Sequence, residues 1–243
     1  MTISPSAWAT TLPALLDEVF PNSRPDSRQA LAASASVRTF ATGQPILHQG
    51  DETSFALILG GQVAFRRTTV DGRQLITLIV SRGALAAFLP LASRPTSVDV
   101  LPLTPAPAAV WQSASIRSLA ATDPGLAIDI LDHVLETFEE IIDRLDAFQY
   151  QNAMRRVARV LNLHTDLFFG EQVVLTRRHL PSMVGTSREM TGRVLRALES
   201  RGLVARVGRS RLRLLDPAGL ANAAEAEGDP SPAPTRTPAP ARR

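Results

Sequence analysis

The segment Leu175-Thr176-Arg177-Arg178-His179-Leu180-Pro181-Ser182-Met183-Val184-Gly185-Thr186-Ser187-Arg188-Glu189-Met190-Thr191-Gly192-Arg193-Val194-Leu195-Arg196-Ala197-Leu198 holds two short helical patterns separated by a glycine. The pattern predicts a first helix capped by Thr176 and ending at Gly185, with Pro181 inside it at some cost. Thr186 then opens a second helix, and Glu189 three residues on completes a capping box. Two short helices joined by a glycine turn make a helix-turn-helix. Met190, Val194, Leu195 and Leu198 mark the buried side of the second helix. Arg188, Glu189 and Arg193 lie on or near its leading turns.

Those residue types suit the major groove of DNA. Arginine donates two hydrogen bonds to guanine, and glutamate accepts one from cytosine. A recognition helix enters the groove by its N-terminal end, which is where these three residues fall. Thr176, Arg177, Arg178, Ser187, Thr191 and Arg196 are expected at phosphates, where contacts position the protein without specifying sequence. Downstream, residues 203–214 have strand character around Gly208-Arg209 and carry Arg206, Arg209, Arg211 and Arg213. They read as a wing, with Arg209 and Arg211 as further backbone contacts. The plainer alternative is an arginine-rich capped helix pair that serves protein contacts.

Charge is distributed to match. Residues 149–215 hold 13 Arg against 4 acidic residues, a net of +9, whereas residues 1–148 hold 10 Arg against 15 acidic residues, a net of −5. A compact basic unit beside an acidic one indicates two units with different tasks, the basic one fitted to nucleic acid. All 26 basic residues are Arg, which keeps the pI near 10.7 although the net charge is only +3.

The acidic unit reads differently. Short apolar runs in residues 1–36 predict one or two helices. From 37 to 117, strand candidates at 37–40, 45–48, 54–59, 62–66 and 75–80 are punctuated by Gly43, Gly50, Gly60-Gly61, Gly72 and Gly83. Short strands at this spacing indicate an all-β barrel or sandwich. Asp71-Gly72 between two runs is a hairpin signal. Further strands at 98–101 and 108–111 lie among Pro95, Pro102, Pro105 and Pro107, which belong at edges or in loops.

Asp123 and Pro124 then open a long helix. Ala127, Leu131, Val134, Phe138, Ile141, Leu145 and Phe148 recur at alternating spacings of 4 and 3, the seam of a coiled coil. Leu131, Val134, Phe138, Ile141 and Leu145 are expected to form a homodimer interface, with Ile130, Leu135 and Ile142 facing the chain's own barrel. A helix follows at 152–163. From Pro217 onward the sequence turns to Ala and Pro, with six of the 18 prolines, and reads as a disordered tail ending in Arg242-Arg243.

Several function classes fall away. With no Cys, thiolate zinc sites, cysteine-ligated iron–sulfur clusters and cysteine nucleophiles are impossible. His48, His133, His164 and His179 include no pair at ligand spacing, so neither a haem nor a metal site is expected. Paired catalytic carboxylates and phosphate-cradling loops do not appear, and no enzyme is expected. Apolar runs are interrupted well before the roughly 18–20 residues of a membrane span. No basic stretch precedes an apolar run at Met1-Thr2-Ile3-Ser4-Pro5, so neither membrane nor export is expected and the cytoplasm is the anticipated compartment.

Over roughly residues 20–216 the chain resembles the Crp/Fnr (cyclic AMP receptor protein/fumarate-nitrate regulator) superfamily of transcription regulators. The resemblance is most specific at Gly185-Thr186-Ser187-Arg188-Glu189-Met190-Thr191-Gly192-Arg193-Val194-Leu195, and is supported by Ile46-Leu47-His48-Gln49-Gly50-Asp51 and by residues 55–63. It implies an α+β chain: an N-terminal cyclic-nucleotide-binding-like β-barrel of jelly-roll type (1–122), a long dimerisation helix (123–148) and a C-terminal winged helix-turn-helix (149–216), followed here by the tail (217–243). It also implies that Arg188, Glu189 and Arg193 read the half-sites of a palindrome in double-stranded DNA. Gly192 before Arg193 is similar to the cyclic-AMP-receptor branch, which implies a GTGA-like half-site core. RNA polymerase is a further implied partner.

The effector pocket departs from the family. Where cyclic-nucleotide binders place a Gly-Glu pair at the ribose, this chain has Gly83-Ala84-Leu85. Where they place Arg-Ser or Arg-Thr at the cyclic phosphate, it has Arg94-Pro95-Thr96. Ala84, Leu85, Arg94 and Thr96 are the candidate pocket residues. An unidentified small, apolar effector and a closed, effector-free pocket both remain open, and no cofactor is implied. The rival reading of the whole is an effector-sensing or protein-interaction module that does not read DNA specifically.

Overall fold

The computed structural model describes residues 5–225. It divides into two compact units, one running to Leu145 and the other starting at Asp146. The first begins with helices α1 (Pro5–Val19) and α2 (Pro25–Ser34) and continues through β1 (Ser36–Phe40), β2 (Ser54–Ile58), β3 (Val63–Thr68), β4 (Gln74–Val80), β5 (Leu85–Ala86), β6 (Asp99–Pro102) and β7 (Ala106–Gln112). A 3₁₀ turn at Leu89–Ala92 follows β5. Helix α3 (Ser113–Thr122) leads to the long α4 (Pro124–Tyr150), in which the division between units falls.

The strands form two antiparallel sheets, ordered β1-β7-β2-β5 and β4-β3-β6. Phe40, Ala56, Ile58 and Ala108 of the first sheet share one core cluster with Val63, Phe65, Leu78 and Val100 of the second. The arrangement is an open pair of sheets around a common core, not the closed barrel anticipated from strand count. Residues 45–48 make only an isolated bridge from Leu47 to Val100 rather than a full strand. Pro102 ends β6, an outer strand of its sheet, but Pro107 lies within β7, which pairs with both β1 and β2, so it is not at an edge as expected; its carbonyl accepts from the Leu59 N–H at 2.9 Å. The predicted hairpin forms between β3 and β4, with Gly72 at φ +78° in its turn.

The outer face of the first sheet is covered by helices. Leu12, Leu15, Leu16, Val19 and Phe20 of α1 and the following turn join Phe55, Leu57, Trp111, Ile116, Leu126 and Ile130 in a second core cluster. Polar groups fix the base of α4 there. Asp129 is buried, and its carboxylate accepts from the Asn22 N–H (3.2 Å), the Asn22 side-chain amide (2.8 Å) and the Ser23 N–H (3.0 Å). Asp123 caps α4 through the Gly125 N–H at 3.1 Å and accepts from the Arg24 N–H at 2.8 Å. Burial opposes its ionised form, but hydrogen bonds from Ser27, Arg24 and Leu126 outweigh it and hold the carboxyl below the usual carboxylate range. Farther along, the Arg144 guanidinium donates to the Ile76 and Thr77 carbonyls at 2.6 and 2.7 Å, fastening α4 to β4.

Two expectations about α4 need revision. Ile130 is buried in its own unit, but Leu135 and Ile142 are exposed and do not face the sheets. They sit one position beyond the seam residues Val134 and Ile141, and so widen the apolar stripe instead. Leu131, Phe138, Ile141 and Leu145 are also exposed, Phe138 by 56%, and Val134 is half-buried.

The second unit contains α5 (Ala153–Leu163), α6 (Thr165–Phe169), α7 (Leu180–Val184), α8 (Arg188–Ser200), β8 (Val204–Val207), β9 (Arg211–Leu214) and α9 (Pro217–Glu225). Asn152 caps α5 by accepting from the Arg155 N–H at 2.9 Å. The disordered tail expected from 217 does not begin there. α9 buries Leu220, Ala223 and Ala224 against the unit, and Arg155 Nε donates to the Ala224 carbonyl at 3.1 Å. Alanine has the highest helix propensity, and Pro217 stands at the first helical position, where proline is tolerated. The Pro-rich remainder, with Arg242 and Arg243, lies outside the described residues.

Candidate nucleic-acid interface

Helices α7 and α8 are joined by Gly185 at φ +65°, the left-handed conformation that lets the chain reverse in so few residues. α8 begins one residue later than anticipated. Its N-cap is Ser187, whose hydroxyl oxygen accepts from the Met190 N–H at 3.0 Å. Thr186 instead bonds through its own N–H to the Pro181 carbonyl, so the Thr186–Glu189 capping box does not form. Glu189 is thereby left to its neighbour one turn on, and it accepts from the Arg193 guanidinium at 3.3 Å.

Arg188, Glu189, Arg193 and Arg196 are all exposed on α8. Val194, Leu195 and Leu198 are buried on the opposite side, and Met190 is half-buried. Thr191 belongs with the buried set. It is 2% exposed and donates to the Ser187 carbonyl at 2.9 Å, so it does not reach a phosphate as expected. Its hydroxyl satisfies the carbonyl one turn back instead.

The start of the motif also differs from expectation. Thr176 caps nothing with its side chain. Its backbone N–H donates to Nδ1 of His179 at 2.9 Å, which makes His179 the residue that closes this turn. Burial, together with the nearby Arg178 charge, holds the His179 imidazole below the ordinary histidine range. Arg177 and Arg178 immediately precede it, and with Pro181, Arg188, Thr191, Gly192 and Leu195 they line a groove of about 500 Å³ beside α8.

Strands β8 and β9 pair as the wing, turning through Gly208 at φ +59°. Glu199 of α8 holds its root by accepting from both the N–H and Nε of Arg206, at 3.0 and 2.7 Å. The Arg206 contact holds the Glu199 carboxyl below its usual range. The Arg177 N–H donates to the Ser210 carbonyl at 3.0 Å, which sets the wing tip beside the start of the motif. Arg209, Arg211 and Arg213 are exposed. Wing, α8 and the residue 176–178 turn thus form one basic rim with three carboxylate-free arginines on the wing and three lining the groove.

These features match known families. Residues 155–223 match the Crp-like helix-turn-helix domain, and residues 37–123 match the cyclic nucleotide-binding domain. The chain belongs to the Crp/Fnr superfamily of transcription regulators. It is therefore a DNA-binding regulator, and it is this membership that sets it apart from enzymes. It is 27% identical over 190 residues to the cAMP-activated global transcriptional regulator Vfr of Pseudomonas aeruginosa, covering 72% of this chain and 87% of that protein. It is 28% identical over 173 residues to the cyclic AMP receptor protein of Thermus thermophilus, covering 69% and 78%. In fold it is similar to the c-di-GMP-responsive regulator CLP of Xanthomonas campestris, with a TM-score of 0.66 at 20% identity, covering 79% of this chain and 99% of that one. FixK2 of Bradyrhizobium japonicum gives a TM-score of 0.63 at 19% identity, covering 80% and 99%.

The residues of the sensor unit do not fit a cyclic nucleotide. Leu85 faces the helix-side core with Leu57 and Trp111, not the inter-sheet space, so it is not a pocket residue. Ala84 lies against the inter-sheet cluster and offers no polar atom beyond its backbone. Ala84 O already accepts from the Ile58 N–H. Thr96 is buried, with its N–H given to the Asp51 carbonyl and its carbonyl accepting from Gly50. Arg94 is exposed. A ribose hydroxyl would find no carboxylate at Ala84. Among the described residues no cluster could hold a metal ion, and no helix is long and apolar enough to cross a membrane. His133, weighed above as an axial ligand, contacts the Val19 carbonyl at 3.2 Å and Glu136 at 3.4 Å.

Proposed function

We propose that the protein acts as a homodimer that reads a palindromic site through two copies of α8, without needing a cyclic nucleotide. The observation that carries this reading is the exposed set Arg188, Glu189 and Arg193 on the leading turns of α8, in a unit of net charge +9. Arg188 and Arg193 donate to guanine edges, and Glu189 accepts from cytosine. Glu189 and Arg193 sit one turn apart, 3.3 Å between their charged groups, so both face the same stretch of groove. Arg177, Arg178, Ser187, Arg196, Arg209 and Arg211 engage phosphates, with Thr176 contributing through the turn it forms with His179.

The dimer forms along α4. Leu131, Val134, Phe138, Ile141 and Leu145 recur at heptad spacing and leave an apolar stripe that a second copy of α4 would cover. Two-fold symmetry then sets the half-sites about one helical turn apart. RNA polymerase is the partner through which such a regulator acts on transcription.

The test is Arg193→Ala. Loss of a bidentate base contact costs about 1–3 kcal/mol and relaxes sequence preference at one position of the half-site. Unchanged affinity and unchanged preference would remove Arg193, and the α8 assignment with it.

A further inference from the structure

Arginine recurs at every second position of the wing, at Arg209, Arg211 and Arg213. Alternation by two is the period of a strand, so Arg211 and Arg213 of β9 share one face. The register with β8 shows which face that is. Val207 stands opposite Arg211 and Ala205 opposite Arg213, while Arg206 stands opposite Leu212 and Val204 opposite Leu214. Val204 and Leu212 are buried, so their set faces the body of the unit and the arginine pair faces out.

The two faces treat arginine differently. Arg206, on the inner face, is paired with Glu199 at 2.7 Å. Arg211 and Arg213, on the outer face, are exposed and join none of the ion pairs among the described residues. Their Cα atoms lie about 7 Å apart along the strand, with only Ala205 and Val207 across from them. Like charges so placed repel, and the hairpin gains nothing from them. The row also has a direction. The Ser210 carbonyl accepts from the Arg177 N–H at 3.0 Å, so the near end of β9 lies at the turn that carries Arg177 and Arg178. From Ser210 the strand runs on for about 10 Å to Arg213, the farther of the two from that turn.

We infer that the outer face of the wing is a second DNA surface: Arg213, with Arg211 leading to it, binds phosphates of the duplex that flanks the palindrome. This rests on the DNA-binding reading above and extends it past the bases that α8 covers. Guanidinium groups hold phosphate oxygens through paired hydrogen bonds, and such contacts carry no sequence information. The flank can therefore have any sequence, and its length is what matters.

The experiment uses the full-length protein and a palindrome that the wild type retains from a random pool, presented in two fluorescent duplexes. One ends at the palindrome, and the other extends it by about one helical turn on each side with unrelated sequence. The wild type is expected to bind the longer duplex about tenfold more tightly at low salt. Its slope of log affinity against log salt is expected to be steeper there by about two, one contact from each protomer. Arg213→Gln is expected to abolish both differences and to bind the short duplex as the wild type does. Arg213→Lys keeps the charge and restores most of the gain. Thermal melting without DNA is the fold readout, and all three proteins are expected to melt within about two degrees of one another. The wild-type comparison of the two duplexes stands whatever the stability of the variants. Equal wild-type affinity for both duplexes overturns the inference. A gain that survives in Arg213→Gln assigns the flank to other residues, and an equal loss on both duplexes places Arg213 inside the palindrome; each also overturns it. Failure of the wild type to retain any duplex overturns the DNA-binding reading, and this inference with it.

Discussion

Phe148, near the end of α4, lies so close to Gly185 in the turn of the helix-turn-helix that a Cβ on the glycine would overlap its ring. Arg156 of α5 stacks over the same ring, 5.4 Å from its centroid. One aromatic side chain thus packs on both the turn that orients α8 and the helix behind it. Phe148 ends the heptad series in the sequence, but it has left the seam to do this.

Gly185→Ala is accordingly expected to destabilise the DNA-binding unit by about 2 kcal/mol or more. The positive φ alone costs about 1–2 kcal/mol, and the overlap with Phe148 adds to it. Urea unfolding followed in the full chain reads this directly. A midpoint equal to that of the wild type would contradict the contact.

The base of α4 makes a second prediction. Removing the Asp129 carboxylate leaves the Asn22 and Ser23 N–H groups without their acceptor in a buried site. Asp129→Ala should cost roughly 2–4 kcal/mol. Asp129→Asn keeps one acceptor oxygen and should cost less. Equal losses for the two variants would mean that the carboxylate's hydrogen bonds are not what holds the α1–α2 turn.

His179 predicts a pH dependence. Its folded pKa is depressed, so the unfolded chain takes up the proton more readily. The stability it contributes is fully present above the ordinary histidine value of about 6.5 and is lost as pH falls from there through the folded pKa. Unfolding midpoints of the DNA-binding unit should therefore decline through this window. His179→Asn offers an acceptor to the Thr176 N–H without titrating, and should flatten the decline. A variant that declines as steeply as the wild type would assign the effect to other groups.

Much of this was legible in the sequence, and the exceptions share a cause. The helix-turn-helix, wing and long helix follow from short-range signals: Gly185, Gly208-Arg209, Pro124 and the heptad series. Positions decided by tertiary partners were not legible. Thr191 looks like a surface hydroxyl until packing of the unit buries it, and Leu85 looks like a pocket residue until strand alternation turns it to the helix side. α9 was hidden because alanine-rich sequence running into prolines reads as a tail unless a partner such as α5 buries it. His179 carries a short-range signal of its own: a histidine three residues after Thr176 can close a turn as an acceptor.

The α4 seam predicts association. Phe138→Asp combined with Leu145→Asp places two charges in the apolar stripe, where they would have to be desolvated. Sedimentation should show the wild type as a dimer and the double variant as a monomer at the same concentration. A wild-type monomer, or a variant that stays dimeric, would place the interface elsewhere.

The central claim is that α8 reads a two-fold-symmetric DNA site with no cyclic nucleotide present. The most direct test incubates the purified, effector-free protein with random duplex DNA and sequences what it retains, with and without added cyclic AMP. The account predicts a palindrome with guanine-containing half-sites, and the same enrichment in both conditions. Enrichment that appears only with cyclic AMP would contradict the reading of the sensor unit, and no enriched sequence in either condition would contradict the reading of α8.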